Sequence, residues 1–439
     1  MPVSFYLMVT VGVLMLGNGI IRKNCLWEAP TWIGFIFVSF LVPQAIHIET
    51  SGLGDRIETW FAWYYLTFCL IAFWWAFNAA KRRPPRSAFR LRRRIRDKQL
   101  ALRALVILIL GAVSLLQIRQ MTEGAGIHGS TTGIITLFYL IFQCIFMALA
   151  IATVRWLATG RRIWAIFGAI AITLGLIAIA ANAKRSLTAE IVFVLGASLF
   201  FLRGWVPPRT VMAALMIFGT VLVHQVGAIR DYVRAGNGTA FEAVVAGVPF
   251  ENFAYFNPGK APELTQGVVD IYRANETGQL DGPAFLWNRM VHQYVPAFIV
   301  GRDIKEGLKI DLPGYYNDGL DIFDWYGATR TGFSDTYTGY GIFGVLVFAL
   351  LGMIMGKLYV NARSGVPWAL FLYPLLINDS MFAITESSAR FFSGGFFVIC
   401  VTIFLFWGSN ASMRRAVPFA TYPPLPPACT LHDAYRSKA

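Results

Sequence analysis

Eleven long apolar runs dominate this chain, at residues 3–21, 30–48, 61–80, 102–118, 131–153, 163–183, 187–202, 210–229, 333–357, 366–384 and 391–408. Each is near the ~20 residues that a bilayer-crossing helix needs. Only 14% of the residues are charged, against about a quarter in a soluble domain, and the deficit falls in these runs. The sequence therefore predicts an all-α polytopic membrane protein of about 11 transmembrane helices with one large, partly helical extracytoplasmic loop. A bundle of that kind absorbs the whole chain, so length says nothing about domain count.

The net charge of +14 invites a nucleic-acid partner, but its distribution argues against one. Eleven of the 38 basic residues lie between Lys81 and Arg103, directly after an apolar run. Lys and Arg gather there when a loop faces the cytoplasm and its anionic lipids. Fixing that cluster inside makes 22–29, 81–101, 154–162, 203–209, 358–365 and the tail after 409 cytoplasmic, and these, with Arg103 and Lys357 at their edges, hold 24 of the 38 basic residues. The chain then divides into 1–229, with eight spans and the basic cytoplasmic loop 81–103; a large periplasmic loop, 230–332; three spans in 333–408; and a Pro-rich cytoplasmic tail, 409–439. Its amino terminus is outside and its carboxyl terminus inside. The run Val3–Ile21 lacks a basic leader and a cleavage motif, so it reads as a retained first helix. The tail's Tyr422–Pro427 prolines favour extended, solvated chain.

Other signals are modest. Cys25, Cys69, Cys144, Cys400 and Cys429 are scattered and odd in number, which predicts neither a disulfide framework nor a metal site. No internal repeat points to a two-fold transporter architecture. Gly352 and Gly356 form a Gly-x-x-x-Gly pattern, read as close packing within the bundle in preference to dimerisation. There is no glycine-rich nucleotide loop, zinc motif or nucleophile elbow.

The loop from Arg230 to Arg330 carries nine basic and thirteen acidic residues, so its charge opposes that of the cytoplasmic side. It is rich in aromatic residues, Trp325 and Tyr326 among them, whereas a disordered linker is poor in them. It reads as folded and functional. Leu286–Val300 is expected to form a short helix at the membrane surface, with Arg289 and His292 at i and i+3 on one side.

Charge in or beside apolar runs is costly and points to function. Lys184 and Arg185 interrupt the apolar stretch 163–202; Arg230 ends a span and Arg234 follows one turn later. Arg330 precedes Asp335 at the mouth of the ninth span, and Glu386 and Arg390 occupy the last outer turn. Two readings stand. These are snorkelling interfacial cations, or they gather planar guanidinium forks suited to a lipid-linked phosphate or diphosphate. His292, alone among the five histidines in lying within the long loop, is the natural general base near neutral pH. Asp335 and Glu386 are carboxylate alternatives, and serve equally as ion-pair partners.

In the order of these features the chain resembles the bacterial Wzy-type O-antigen or exopolysaccharide repeat-unit polymerases, which are related to the O-antigen ligases. The local likeness lies in Thr331–Gly344, a small/polar, acidic, aromatic and glycine stretch, and in the basic Ala183–Ser186. The resemblance implies a GT-C-like glycosyltransferase of the bacterial cytoplasmic (inner) membrane that needs no cofactor or metal. It would join undecaprenyl-diphosphate-linked oligosaccharide repeat units at the outer face. It implies membrane lipid, a chain-length regulator and a flippase as partners. Arg185, Arg230, Arg289 and Arg330 become diphosphate contacts, with Lys184, Arg234 and Arg390 beside them, and His292 activates the acceptor. Trp325, Tyr326 and Tyr337 are candidates to stack on sugar faces. The rival expectations are an O-antigen ligase using lipid A core as acceptor and a transporter of lipid-linked sugar.

Overall fold

The computed structural model describes residues 1–52, 57–82, 97–124, 134–182, 185–217, 219–220, 232, 238, 240–247, 263–311 and 331–406. Among these residues all regular structure is helical, and ten helices are long and apolar enough to cross a membrane. They are α1 (Val3–Ile21), α2 (Ala29–Thr50), α3 (Thr59–Arg82), α4 (Asp97–Gly124), the pair α5 (Ile134–Phe142) and α6 (Cys144–Thr159) that together make one span, α7 (Arg162–Asn182) and α8 (Arg185–Arg203). Then come the short helices α9 (Glu263–Thr277), α10 (Ala284–Tyr294), α11 (Ala297–Val300) and α12 (Arg302–Gly307). The chain returns to the bundle with α13 (Gly332–Tyr340) and α14 (Val345–Arg363), which share one apolar stretch, followed by α15 (Pro367–Thr385) and α16 (Ser388–Phe406). The run 210–229 is helical at 209–217 and lies beyond the described residues from 221.

Four expectations need correction or refinement. The ninth span is not one rod: α13 stops at Gly341, whose φ of +58° suits a residue without a side chain, and a 3-10 turn leads into α14. The helix expected over Leu286–Val300 is real but divided, since α10 ends before Pro296 and α11 restarts after it. A residue preceding proline is pushed out of the helical region by the ring. Within α2 a π-turn occupies Phe37–Leu41, just before Pro43. Finally, Cys25 is disulfide-bonded, with its partner outside the described residues, while Cys69, Cys144 and Cys400 are free. Spacing cannot reveal such a bond when the cysteines are scattered.

The bundle's most intimate pair is α3 with α14. A Cβ on Gly352 would strike the Phe73 carbonyl, and one on Gly356 would come within 2.6 Å of the Phe77 carbonyl oxygen. The Gly-x-x-x-Gly pattern therefore packs within one chain, letting two backbones meet where larger residues would hold them apart.

Polar contacts tie together the segments that the sequence assigned to one face. Lys81 Nζ meets Glu28 Oε1 at 2.7 Å, both buried, joining the α1–α2 turn to the end of α3. Arg209 donates to the Ile21 carbonyl, Arg203 to that of Leu157 and Arg103 to that of Leu405. At the other face α9 docks on the end of α2, where the Leu264 N–H donates to Gln44 Oε1 at 3.0 Å. The short α13 lies at this second face, packed against α3, α9, α10, α14, α15 and α16.

Candidate functional site

At this second face the ends of apolar helices bring six ionisable side chains together: Glu190, Arg289, Asp335, Asp379, Glu386 and Arg390. The local fold explains the meeting. Thr331 caps α13, its Oγ1 accepting from the Ser334 N–H at 3.3 Å, which sets Asp335 in the first turn. Gly332 sits so tightly on the end of α15 that a Cβ there would strike the Ala383 carbonyl. Asp335 thereby faces the α15–α16 turn. Its Oδ2 accepts from Ser387 Oγ at 2.7 Å and from the Ser388 N–H at 2.8 Å. The carboxylate so satisfies a donor at the start of α16, where a helix favours negative charge. Its second oxygen, Oδ1, is buried with no hydrogen-bond partner among the described residues. An orphaned buried acceptor is uncommon and costs free energy, so it asks for an explanation.

Arg390, in the first turn of α16, is committed to one face of α15. It bonds Glu386, lies 3.9 Å from Asp379 Oδ1, and stacks 4.4 Å from the centre of the Phe382 ring. Those three partners are spaced by three and four residues, so they line a single helical stripe. Asp379 Oδ2 also lies against α16 at Gly394, where a Cβ would approach within 3.0 Å. From α8, Glu190 comes within electrostatic reach of Asp379 and Arg390.

Arg289 contrasts with Arg390. It projects from α10 into the field of Arg390, Glu386, Asp335 and Asp379. Among the described residues it makes no hydrogen bond or ion pair. Burial, followed by the neighbouring Arg390, lowers its pKa, yet a guanidinium keeps its proton under such pressure. The fork is charged, largely desolvated and uncommitted.

The other expected site residues fall as follows. His292 is not grouped with the carboxylates. It lines a small cavity of about 60 Å³ with Leu137, Leu140 and Lys305, and its carbonyl accepts from Lys305 Nζ at 3.0 Å. Burial first, then Lys305, Lys309 and Arg289, pull its pKa down, so the imidazole is neutral at pH 7. Tyr337 is buried between Phe61 and Tyr65, with ring centroids 5.4 and 4.9 Å away, and donates to Asn275 Oδ1 at 3.1 Å. That is a packing position. Lys184, Arg230, Arg234, Arg330, Trp325 and Tyr326 lie outside the described residues; Arg185 begins α8, but its side chain does too.

Sequence reasoning missed Glu190, Asp379, Ser387 and Ser388. The first two carried a readable signal, a carboxylate inside an apolar run. The serines carried none until the α15–α16 turn was folded against Asp335. Among the described residues no three His, Cys, Asp or Glu side chains converge as a metal site. The chain matches no protein-family model, no curated protein and no solved structure.

Proposed function

We propose that this multi-pass membrane protein is a glycosyltransferase that polymerises lipid-diphosphate-linked oligosaccharide repeat units at the outer face of a bacterial cytoplasmic membrane. The observation that carries this reading is the conjunction of an uncommitted guanidinium, Arg289, with an orphaned carboxylate oxygen, Asp335 Oδ1, where apolar helix ends converge. The guanidinium fork suits phosphate oxygens in two-point contact. The free carboxylate oxygen suits an acceptor hydroxyl.

In this reading the acceptor oxygen attacks the anomeric carbon as the anomeric C–O bond to the diphosphate breaks. The diphosphate departs with that electron pair and Arg289 stabilises the charge it gains. The hydroxyl proton passes to Asp335 Oδ1. Donors already aimed at the leaving group need no reorganisation as charge develops, which is where such contacts contribute most. Arg390 holds the floor of the site by fastening α16 to α15. Glu386, engaged with Arg390, is less suited to base duty than Asp335, and His292 stands apart at its own cavity.

A second reading is favoured by one observation: Glu190 and Asp379 lie inside apolar spans, and acidic residues there mark proton-coupled paths as well as catalytic sites. It would make the chain a transporter of lipid-linked sugar. An O-antigen ligase shares the first reading's chemistry with a different acceptor.

One experiment separates them. The purified full-length chain in lipid nanodiscs is given a lipid-diphosphate-linked repeat unit and no nucleotide sugar. A ladder of longer lipid-linked products supports the polymerase. Transfer only when lipid A core is added supports the ligase. Translocation of intact substrate in vesicles, with no new glycosidic bond, would overturn both.

A further inference from the structure

The segment after α10 is rigid, exposed and apolar at its surface, and its depth says what covers it. Phe298 and Ile299 of α11, Ile304 of α12, and Leu308 and Ile310 beyond it are all more than two-fifths exposed. They are not displayed on a loose loop. The Asn288 amide donates to the Ile310 carbonyl at 2.7 Å and accepts from the Ile310 N–H at 2.9 Å. Trp287 Nε1 donates to the Leu308 carbonyl at 2.7 Å, and Lys305 reaches back to the His292 carbonyl. The four hydrogen bonds close α10, α11 and α12 into one clip. Ordered apolar side chains left in water on such a clip would be an uncompensated cost.

The clip is anchored well inside the apolar zone. Tyr294, at the end of α10, packs its ring edge-on to Phe396 of α16 at 5.5 Å, and its hydroxyl donates to the Ser393 carbonyl. Phe396 lies eight residues into α16, about 12 Å along a helix that rises about 1.5 Å per residue. It is half exposed on a span whose 19 residues cover about the thickness of a hydrocarbon core, so it faces lipid. On its other flank the clip meets Leu137 and Leu140, the opening turn of the α5–α6 span. Chain that leaves α10 at this depth starts beside acyl chains.

The geometry points to α11 and α12 as a leaflet-embedded foot, with Phe298, Ile299 and Ile304 among the lipid acyl chains and Arg302 and Lys309 at headgroup height. The partner is the bilayer itself. Amphipathic elements with cations at the rim of an apolar face bind in this way. The inference does not depend on the enzymatic reading. It fixes α10, and with it Arg289, to one leaflet.

The test uses spin labels on the full-length chain in nanodiscs, in a Cys400→Ser background that removes the exposed free thiol. Labels are placed through Ile299→Cys, Ile304→Cys and, as an aqueous reference, Gln279→Cys in the exposed segment after α9. Expected is a severalfold higher ratio of oxygen to water-soluble nickel-complex accessibility at 299 and 304 than at 279. Ratios at 299 and 304 equal to that at 279 would overturn the proposal. So would strong dipolar broadening between copies at 299 or 304, because a second chain would then cover the surface. If Ile299→Cys or Ile304→Cys fails to fold, the other still decides against the reference at 279.

Discussion

Arg289→Ala and Arg390→Ala remove the same side chain from the same cluster, and the structure assigns them opposite consequences. Arg390 neutralises Asp379 and Glu386 and stacks on Phe382. Removing it takes the Arg390 ion pair from both carboxylates, a loss that for buried pairs costs about 3–5 kcal/mol. The partners are 17% and 34% exposed, so water recovers part of that, and about 3 kcal/mol is the expectation. Arg289 has no bond among the described residues to lose. Its removal ends both an attraction to the carboxylates and a repulsion from Arg390, so stability should stay within about 0.5 kcal/mol, as at an uninvolved position. Turnover should fall by ~10²–10³, the effect of deleting one donor to developing negative charge. The assay is apparent melting of each variant in nanodiscs, read beside the product ladder at saturating lipid-linked substrate. Equal destabilisation by the two changes would show that Arg289 is structurally committed after all. Undiminished turnover in Arg289→Ala, with the fold intact, would remove it from any role at the leaving group.

Three further outcomes follow from the geometry. Lys81→Met should lower stability by about 3 kcal/mol by taking from buried Glu28 its bonded cation, and Glu28→Gln in that background should restore much of it, read as a double-mutant cycle of melting temperatures. Gly352→Ala should cost about 1–3 kcal/mol because its Cβ meets the Phe73 carbonyl, whereas Gly17→Ala, with nothing within 4 Å, should be neutral or stabilising in a thermal-shift comparison. His292 has a depressed pKa in the folded chain, so its contribution is complete above the unfolded value of about 6.5 and is lost as pH falls through the folded value. His292→Asn should therefore flatten the decline in melting temperature below about pH 6.5; an unchanged slope would contradict the buried, neutral imidazole.

The fold was legible where a long apolar run left a helix no alternative. The ten spans among the described residues fall on ten of the eleven runs. Breaks inside runs were harder to see. Gly341 looks in sequence like any packing glycine, and only its positive φ shows that the helix ends there. Pro296 did announce its break, but the apolar residues on either side of it masked the signal. The site was legible as chemistry and opaque as partnership. Asp335, Glu386 and Arg390 were recognisable because charge beside an apolar run is costly, and Arg289 through the loop helix it shares with His292. Which arginine is spent on structure depends on how the α15–α16 turn folds back, and no local pattern encodes that. His292 and Arg289 share a helix, yet the first faces Lys305 and the second faces Asp335, because the Lys305 and Asn288 bonds fix the clip's roll.

The charge balance of the cluster then constrains what can bind there. Among the described residues Glu190, Asp335, Asp379 and Glu386 face Arg289 and Arg390, and Arg390 is already engaged by two of the four. A diphosphate brought to this centre adds like charge to an acidic surplus, and in a medium of low dielectric that repulsion is severe. Two routes relieve it. Further cations can join from basic residues that the sequence sets beside its apolar runs, Lys184, Arg185, Arg230, Arg234 and Arg330, or the intramembrane carboxyls can take up protons. The routes belong to different functions. A polymerase needs fixed cations at a leaving group, so Arg185→Ala and Arg330→Ala should each weaken substrate capture and be nearly indifferent to pH. A proton-coupled transporter needs the carboxyls, so Glu190→Gln and Asp379→Asn should uncouple movement from the proton gradient and leave binding largely intact. Loss of capture confined to the arginine variants would favour the enzyme; loss of pH coupling confined to the carboxyl variants would favour the transporter and remove the diphosphate from this centre.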